Sequence, residues 1–107
     1  MIVVVGRVST DADKRDDLVR IGETVAAASR AEPGCISYRL YEATDLENQF
    51  VFVEEWESGE ALQQHFATPH IAAFMQAIPA AITAPPDVKF HTISSSMDLS
   101  EVSAGGG

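Results

Sequence analysis

The segment His65-Phe66-Ala67-Thr68-Pro69-His70 sets two imidazoles five positions apart around a Thr-Pro step. Histidine is the side chain whose ordinary titration falls near neutrality, so this pair is the first candidate for acid–base chemistry. His65 lies near the end of one apolar-periodic segment. His70 opens the next, where Ile71 and Phe74 turn inward. Either ring can face an apolar pocket, and either can instead cap a helix end or stand in solvent. His91, between Phe90 and Thr92, reads as structural or exposed.

The same pair is a poor metal chelate by spacing, because positions i and i+4 share a helical face and i+5 does not. Neither HExxH nor HxH occurs, and no metal is indicated. Cys35 begins a strand after a turn, without a local basic cluster, and is not read as a nucleophile. As the single cysteine it cannot close an internal disulfide, which suits a reducing compartment. Gly6, Gly22, Gly34 and Gly59 form no phosphate loop and no dinucleotide fingerprint.

Other residues fit a site for a flat, hydroxylated molecule. Tyr38 can donate a hydrogen bond to a substrate oxygen. Trp56 shares a strand face with Phe50 and Phe52, and an aromatic wall suits an aromatic ligand. Plain core packing explains Phe50 and Phe52 equally well. Phe66 and Phe74 can help exclude water. Arg7 and Arg39 interrupt strands and can pair with an oxyanion. A structural ion pair with Glu54 or Glu55, across the sheet or a dimer, is the stronger reading for them.

These residues need elements to position them. Ile2 to Val8 is β-branched and nearly all apolar, as in a strand covered on both faces. Thr10 and Asp11 offer N-caps for a helix over about Ala12 to Ala31, with Leu18, Ile21, Val25 and Ala28 as its stripe. Glu32-Pro33-Gly34 ends that helix. Cys35 to Glu42 reads as a strand with Ile36, Tyr38 and Leu40 on one face. Thr44 to Gln49 is a hairpin loop, and Phe50 to Trp56 is the next strand. Ser58 caps a short helix, and Thr68-Pro69 starts another. Val88 to Ile93 is the last strand. The order β-α-β-β-α-β is the ferredoxin-like α+β arrangement, an antiparallel sheet with its helices on one face. Residues 1–94 form the domain, and residues 95–107 read as a Ser/Gly-rich tail, ordered only if a partner holds it. The first strand is apolar on both sides, so a second copy of the chain is expected against the open sheet face.

Composition narrows the partners. A formal net charge of −9 disfavours phosphate backbones and anionic membrane surfaces, so neither nucleic acid nor membrane is expected. No apolar run approaches the length of a membrane span, and the start lacks the features of a signal peptide, so the expected location is the cytoplasm.

The stretches EPGCISYRLYE, FVFVEEWES and EALQQHFATPH followed by IAAF carry a likeness. Over Met1 to Ile93 the chain resembles the antibiotic biosynthesis monooxygenase domain family, through Glu32-Pro33-Gly34-Cys35, Glu55-Trp56, His65 and Pro69-His70. The resemblance implies a homodimer whose two sheets form an α/β barrel, with a ligand cavity in each subunit. It also implies oxidation of a quinol, phenol or anthrone by O2 without a cofactor. On that reading His65 or His70 takes the hydroxyl proton. Tyr38 with Arg7 or Arg39 holds the oxyanion, and Trp56, Phe66 and Phe74 exclude water. Haem-degrading relatives use an asparagine, a tryptophan and a histidine where this chain has Gly6, His65 and Met75, so haem is not expected. Two alternatives remain: a non-catalytic small-molecule-binding dimer, and an isomerase of a small carbonyl metabolite.

Overall fold

The computed structural model describes residues 1–105. Its elements are β1 (Ile2–Ser9), α1 (Arg15–Arg30), β2 (Cys35–Glu42), β3 (Gln49–Trp56), α2 (Gly59–Phe66) and α3 (Pro69–Ala77). A 3-10 turn (Ile78–Ala81), β4 (Asp87–Thr92) and α4 (Leu99–Ser103) follow. The four strands form one sheet in the order β2-β3-β1-β4, and every pairing is antiparallel. This is the α+β, ferredoxin-like arrangement expected.

Alternation along the strands separates two faces. Val4, Gly6 and Val8 of β1 are buried on the helical side, in register beside Glu54, Phe52 and Phe50 of β3. Leu18, Val25 and Ala26 of α1 complete the core there with Tyr38, Trp56, Leu62 and Ile71. The other face carries the half-buried Val3, Val5, Val51 and Val53.

Several local features differ from the sequence expectations. α1 begins at Arg15 rather than Ala12, because Thr10 is not its cap: the Thr10 hydroxyl donates to the Ala81 carbonyl at 2.6 Å. This bond ties the start of the helical layer to the 3-10 turn. Ile36 does not share the Tyr38 face. A bulge between Cys35 and Ser37 leaves it without a partner on β3, and it is exposed. No ion pair joins Arg7 or Arg39 to Glu54 or Glu55 among the described residues. Glu55 instead accepts from the Ser37 hydroxyl at 2.6 Å. The tail is not wholly irregular, since α4 forms on a reciprocal Asp98–Glu101 capping box. The last two residues of the expected tail lie outside the described residues.

Candidate active site

The Thr-Pro step breaks the helical layer in two. Thr68 caps α3 by accepting from the Ile71 backbone N–H, while its own hydroxyl donates to the His65 carbonyl at 2.7 Å. Pro69 sits in the first turn, where its missing N–H costs nothing. α2 therefore stops at Phe66 and the chain changes direction before His70. On one continuous helix two histidines five apart would diverge; across this break they converge.

Both imidazoles meet on one carboxylate. Glu32, in the turn between α1 and β2, places its Oε2 2.7 Å from His65 Nδ1 and 2.7 Å from His70 Nε2. The position of Glu32 is fixed by local chain geometry: its N–H donates to the Ser29 carbonyl, and its carbonyl accepts from the Cys35 N–H. Gly34 makes the turn possible with φ of 82°. His65 is buried, and His70 is about a quarter exposed, with 24% of its side chain accessible.

His65 is clamped between aromatic rings. Trp56 lies 4.6 Å away and Tyr38 5.6 Å away, centroid to centroid. With Nδ1 engaged by Glu32, the remaining nitrogen, Nε2, has no side-chain hydrogen bond among the described residues. His65 also lines a cavity of about 770 Å³ on the helical face of the sheet.

That cavity is apolar over most of its wall. Val4, Gly6 and Val8 form part of its floor, with Phe52, Phe66, Phe74, Met75 and Ile78 around it. Pro85, Pro86, Val88 and Phe90 line its other side. Its titratable groups are Tyr38, Glu54 and His65, and no lysine or arginine among the described residues lines it. Phe66 and Phe90 face each other across the α2–β4 side at 6.1 Å.

Glu54 is a buried carboxyl that accepts from the Trp56 indole N–H at 3.0 Å. Burial pushes its pKa up to about 7, the Trp56 hydrogen bond opposes the rise, and the nearby Glu32 charge adds to it. Tyr38 is buried beside it. Burial first, and the Glu54 charge second, raise the phenol well above its ordinary range, so Tyr38 remains a neutral donor. An anion in this cavity would thus meet a phenol and a partly protonated carboxyl rather than a cation.

The expected site residues separate into groups. His65, Tyr38, Phe66 and Phe74 line the cavity together. Trp56 is fully buried behind His65 and does not reach the cavity surface. His70 reaches the site through Glu32. Arg7 and Arg39 are exposed and project from the opposite sheet face. His91 is also exposed. Glu32 and Glu54 take site positions, although their sequence context suggested only a helix stop and an ion pair. For Glu54 a signal was present: it falls on the same alternation as Phe52 and Trp56, the buried face of β3.

Comparison with known proteins agrees with this architecture. The model of the antibiotic biosynthesis monooxygenase family matches residues 1–77. YcnE of Bacillus subtilis, provisionally named a monooxygenase, is 32% identical over 88 residues, covering 82% of this chain and 93% of its own. The solved structure of Rv0793 from Mycobacterium tuberculosis superposes with a TM-score of 0.83 at 28% identity, covering 91% of this chain and 98% of that one. SnoaB, a cofactor-independent oxygenase from Streptomyces nogalater solved as a mutant, shares the fold at a TM-score of 0.78 and 19% identity, covering 90% of this chain and 95% of its own. The family match runs from β1 through α3, the segment that supplies Glu32, Tyr38, Glu54, His65 and His70, and the chain belongs to the antibiotic biosynthesis monooxygenase family.

Proposed function

We propose that this chain is a cofactor-independent monooxygenase that oxidises a small hydroxylated aromatic with O2. The observation that carries the reading is His65: its Nδ1 is held by Glu32 at 2.7 Å while the ring lines an otherwise apolar cavity. A carboxylate on Nδ1 fixes the tautomer that leaves Nε2 as an acceptor, and it stabilises the imidazolium once a proton arrives.

In this reading His65 Nε2 takes the phenolic proton. Tyr38 and protonated Glu54 donate to the resulting oxyanion. The electron-rich ring then reduces O2 as a carbon–oxygen bond forms, and the proton held on His65 Nε2 passes to the outer oxygen to give a ring hydroperoxide. Loss of the remaining ring hydrogen with the outer oxygen, as water, leaves a second carbonyl. One oxygen atom ends in the product and one in water, with all electrons drawn from the substrate. The apolar wall serves this chemistry by keeping water from the anion and the peroxide. SnoaB shows that this fold hosts cofactor-free oxygenation, an analogy at the level of fold.

The working unit is proposed to be a homodimer. Val3, Val5, Val51 and Val53 present an apolar strip on the sheet face that the helices leave open, and a second copy is the economical cover. Among the described residues, no helix is long and apolar enough to cross a membrane.

The test is oxygen uptake by metal-free protein against naphthols, quinols and anthrones, beside His65→Gln. Uptake lost in the variant supports the reading. Binding of a panel member without any uptake would replace it with the small-molecule-binding alternative.

A further inference from the structure

Glu32, His65 and His70 come from three separate segments of the fold, and their donor atoms lie within 4.8 Å of one another. Two imidazole nitrogens and one carboxylate oxygen form the borderline donor set that suits zinc and its first-row neighbours. The two hydrogen bonds within the cluster occupy the positions an ion would bridge, since a metal takes the place of the imidazole protons.

The dimensions are within reach. Donors about 2.0–2.1 Å from a tetrahedral ion sit about 3.3 Å from each other. The two nitrogen–oxygen distances of 2.7 Å must open, and the nitrogen–nitrogen distance can be no more than 4.8 Å at the start. His70 supplies the freedom, being partly exposed, whereas His65 is fixed by Trp56 and Tyr38. With three protein ligands, the fourth position remains for water or an exogenous anion.

We propose that Glu32, His65 and His70 form a divalent transition-metal site of the zinc class. The site has a chemical consequence for the cavity. A neutral imidazole carries one ring proton, so metal on Nδ1 of His65 places that proton on Nε2. The nitrogen available to the cavity then donates and no longer accepts. Metal loading and base catalysis by His65 are mutually exclusive. This consequence rests on the function proposed above; the metal site itself does not.

Isothermal titration and native mass spectrometry with ZnCl2 and CoCl2, on chelator-treated full-length protein, test the site. The expected result is one ion per chain, weakened at least about tenfold in both His70→Ala and Glu32→Gln and unchanged in His91→Ala. Bound cobalt should show the visible absorption of a tetrahedral centre. Thermal melts accompany each variant, and His70→Gln replaces His70→Ala if the latter does not fold. No bound ion, or binding that survives both ligand substitutions, overturns the proposal. A substrate panel run with and without zinc then separates the two readings. Zinc-abolished uptake supports the exclusion, and uptake unchanged by bound zinc refutes it. Absence of uptake in both states, with zinc bound, rejects the monooxygenase reading while the metal site stands.

Discussion

The indole of Trp56 contacts two of the cavity's three titratable groups: its ring lies 4.6 Å from the His65 ring, and its Nε1–H donates to Glu54 at 3.0 Å. Neither contact requires the indole to reach the cavity. One side chain thereby helps hold the imidazole in place and tempers the rise in proton affinity that burial gives the carboxyl.

Trp56→Phe retains a ring beside His65 and deletes the N–H. The variant should lose about 1–3 kcal/mol of stability, from lost volume and the loss of one donor to a buried carboxyl. Chemical denaturation measures this. A loss no larger than that of an exposed substitution would show that the Glu54 hydrogen bond contributes nothing.

Glu54 makes stability fall as pH rises. Its folded pKa, about 7, stands above the ordinary 4.5, so the folded state holds this proton more tightly than the unfolded chain. The favourable contribution is full below about pH 4.5 and is lost as pH rises through about 7, by on the order of 3 kcal/mol at most. Glu54→Gln removes the titration. Denaturation midpoints of the two proteins should diverge across this window, and parallel curves would contradict the assignment.

Tyr38→Phe keeps the ring against His65 and removes the hydroxyl. If the phenol holds a developing oxyanion, turnover should drop about 10²–10³-fold, the usual cost of one such donor. Substrate affinity and melting temperature should change much less. Steady-state oxygen uptake and a thermal melt distinguish this from a packing defect, which would lower both together.

Gly34→Ala strains the turn that presents Glu32. The added Cβ would lie 2.6 Å from the Ala61 Cβ at a φ of 82°. A destabilisation of about 2–3 kcal/mol is expected from the clash and the left-handed backbone. The double variant with Ala61→Gly should recover only the steric part, as a double-mutant cycle would show.

Val53→Lys tests the proposed dimer. The substitution puts a charge at the centre of the open sheet face, beside Val5 across the β1–β3 ladder. Sedimentation should find a dimer for the parent protein and a monomer for the variant. A parent that stays monomeric at micromolar concentration would remove the dimer from the functional reading.

Much of this fold was legible in local patterns. The alternation of Phe50, Phe52 and Trp56, the Ser58 and Thr68 caps, and the Pro33-Gly34 stop give the element order directly. The bulge at Ile36 was not legible, because it depends on how β2 pairs with β3. Thr10 looked like a cap and instead bonds Ala81, 71 positions away. The site divides in the same manner. Tyr38, His65, Phe66 and Phe74 could be chosen by residue type. Glu32 was hidden by its local role in ending a helix, since its chemical role arises from contacts 33 and 38 positions away. Arg7 and Arg39 were attractive as charges, but strand parity sends them to the opposite face.

Gly6 gives the cavity a steric ruler. It lies mid-strand in β1 on the cavity floor, and a Cβ there would meet Val88 at 3.5 Å and Phe52 at 3.8 Å, both ordinary contacts. Its side-chain space is empty by composition rather than by backbone necessity. Alanine at this one position can therefore narrow the room the cavity offers a ligand. Such a change would alter which molecules fit while leaving Tyr38, Glu54 and His65 in place, so the shape of this cavity and its acid–base chemistry rest on separate residues.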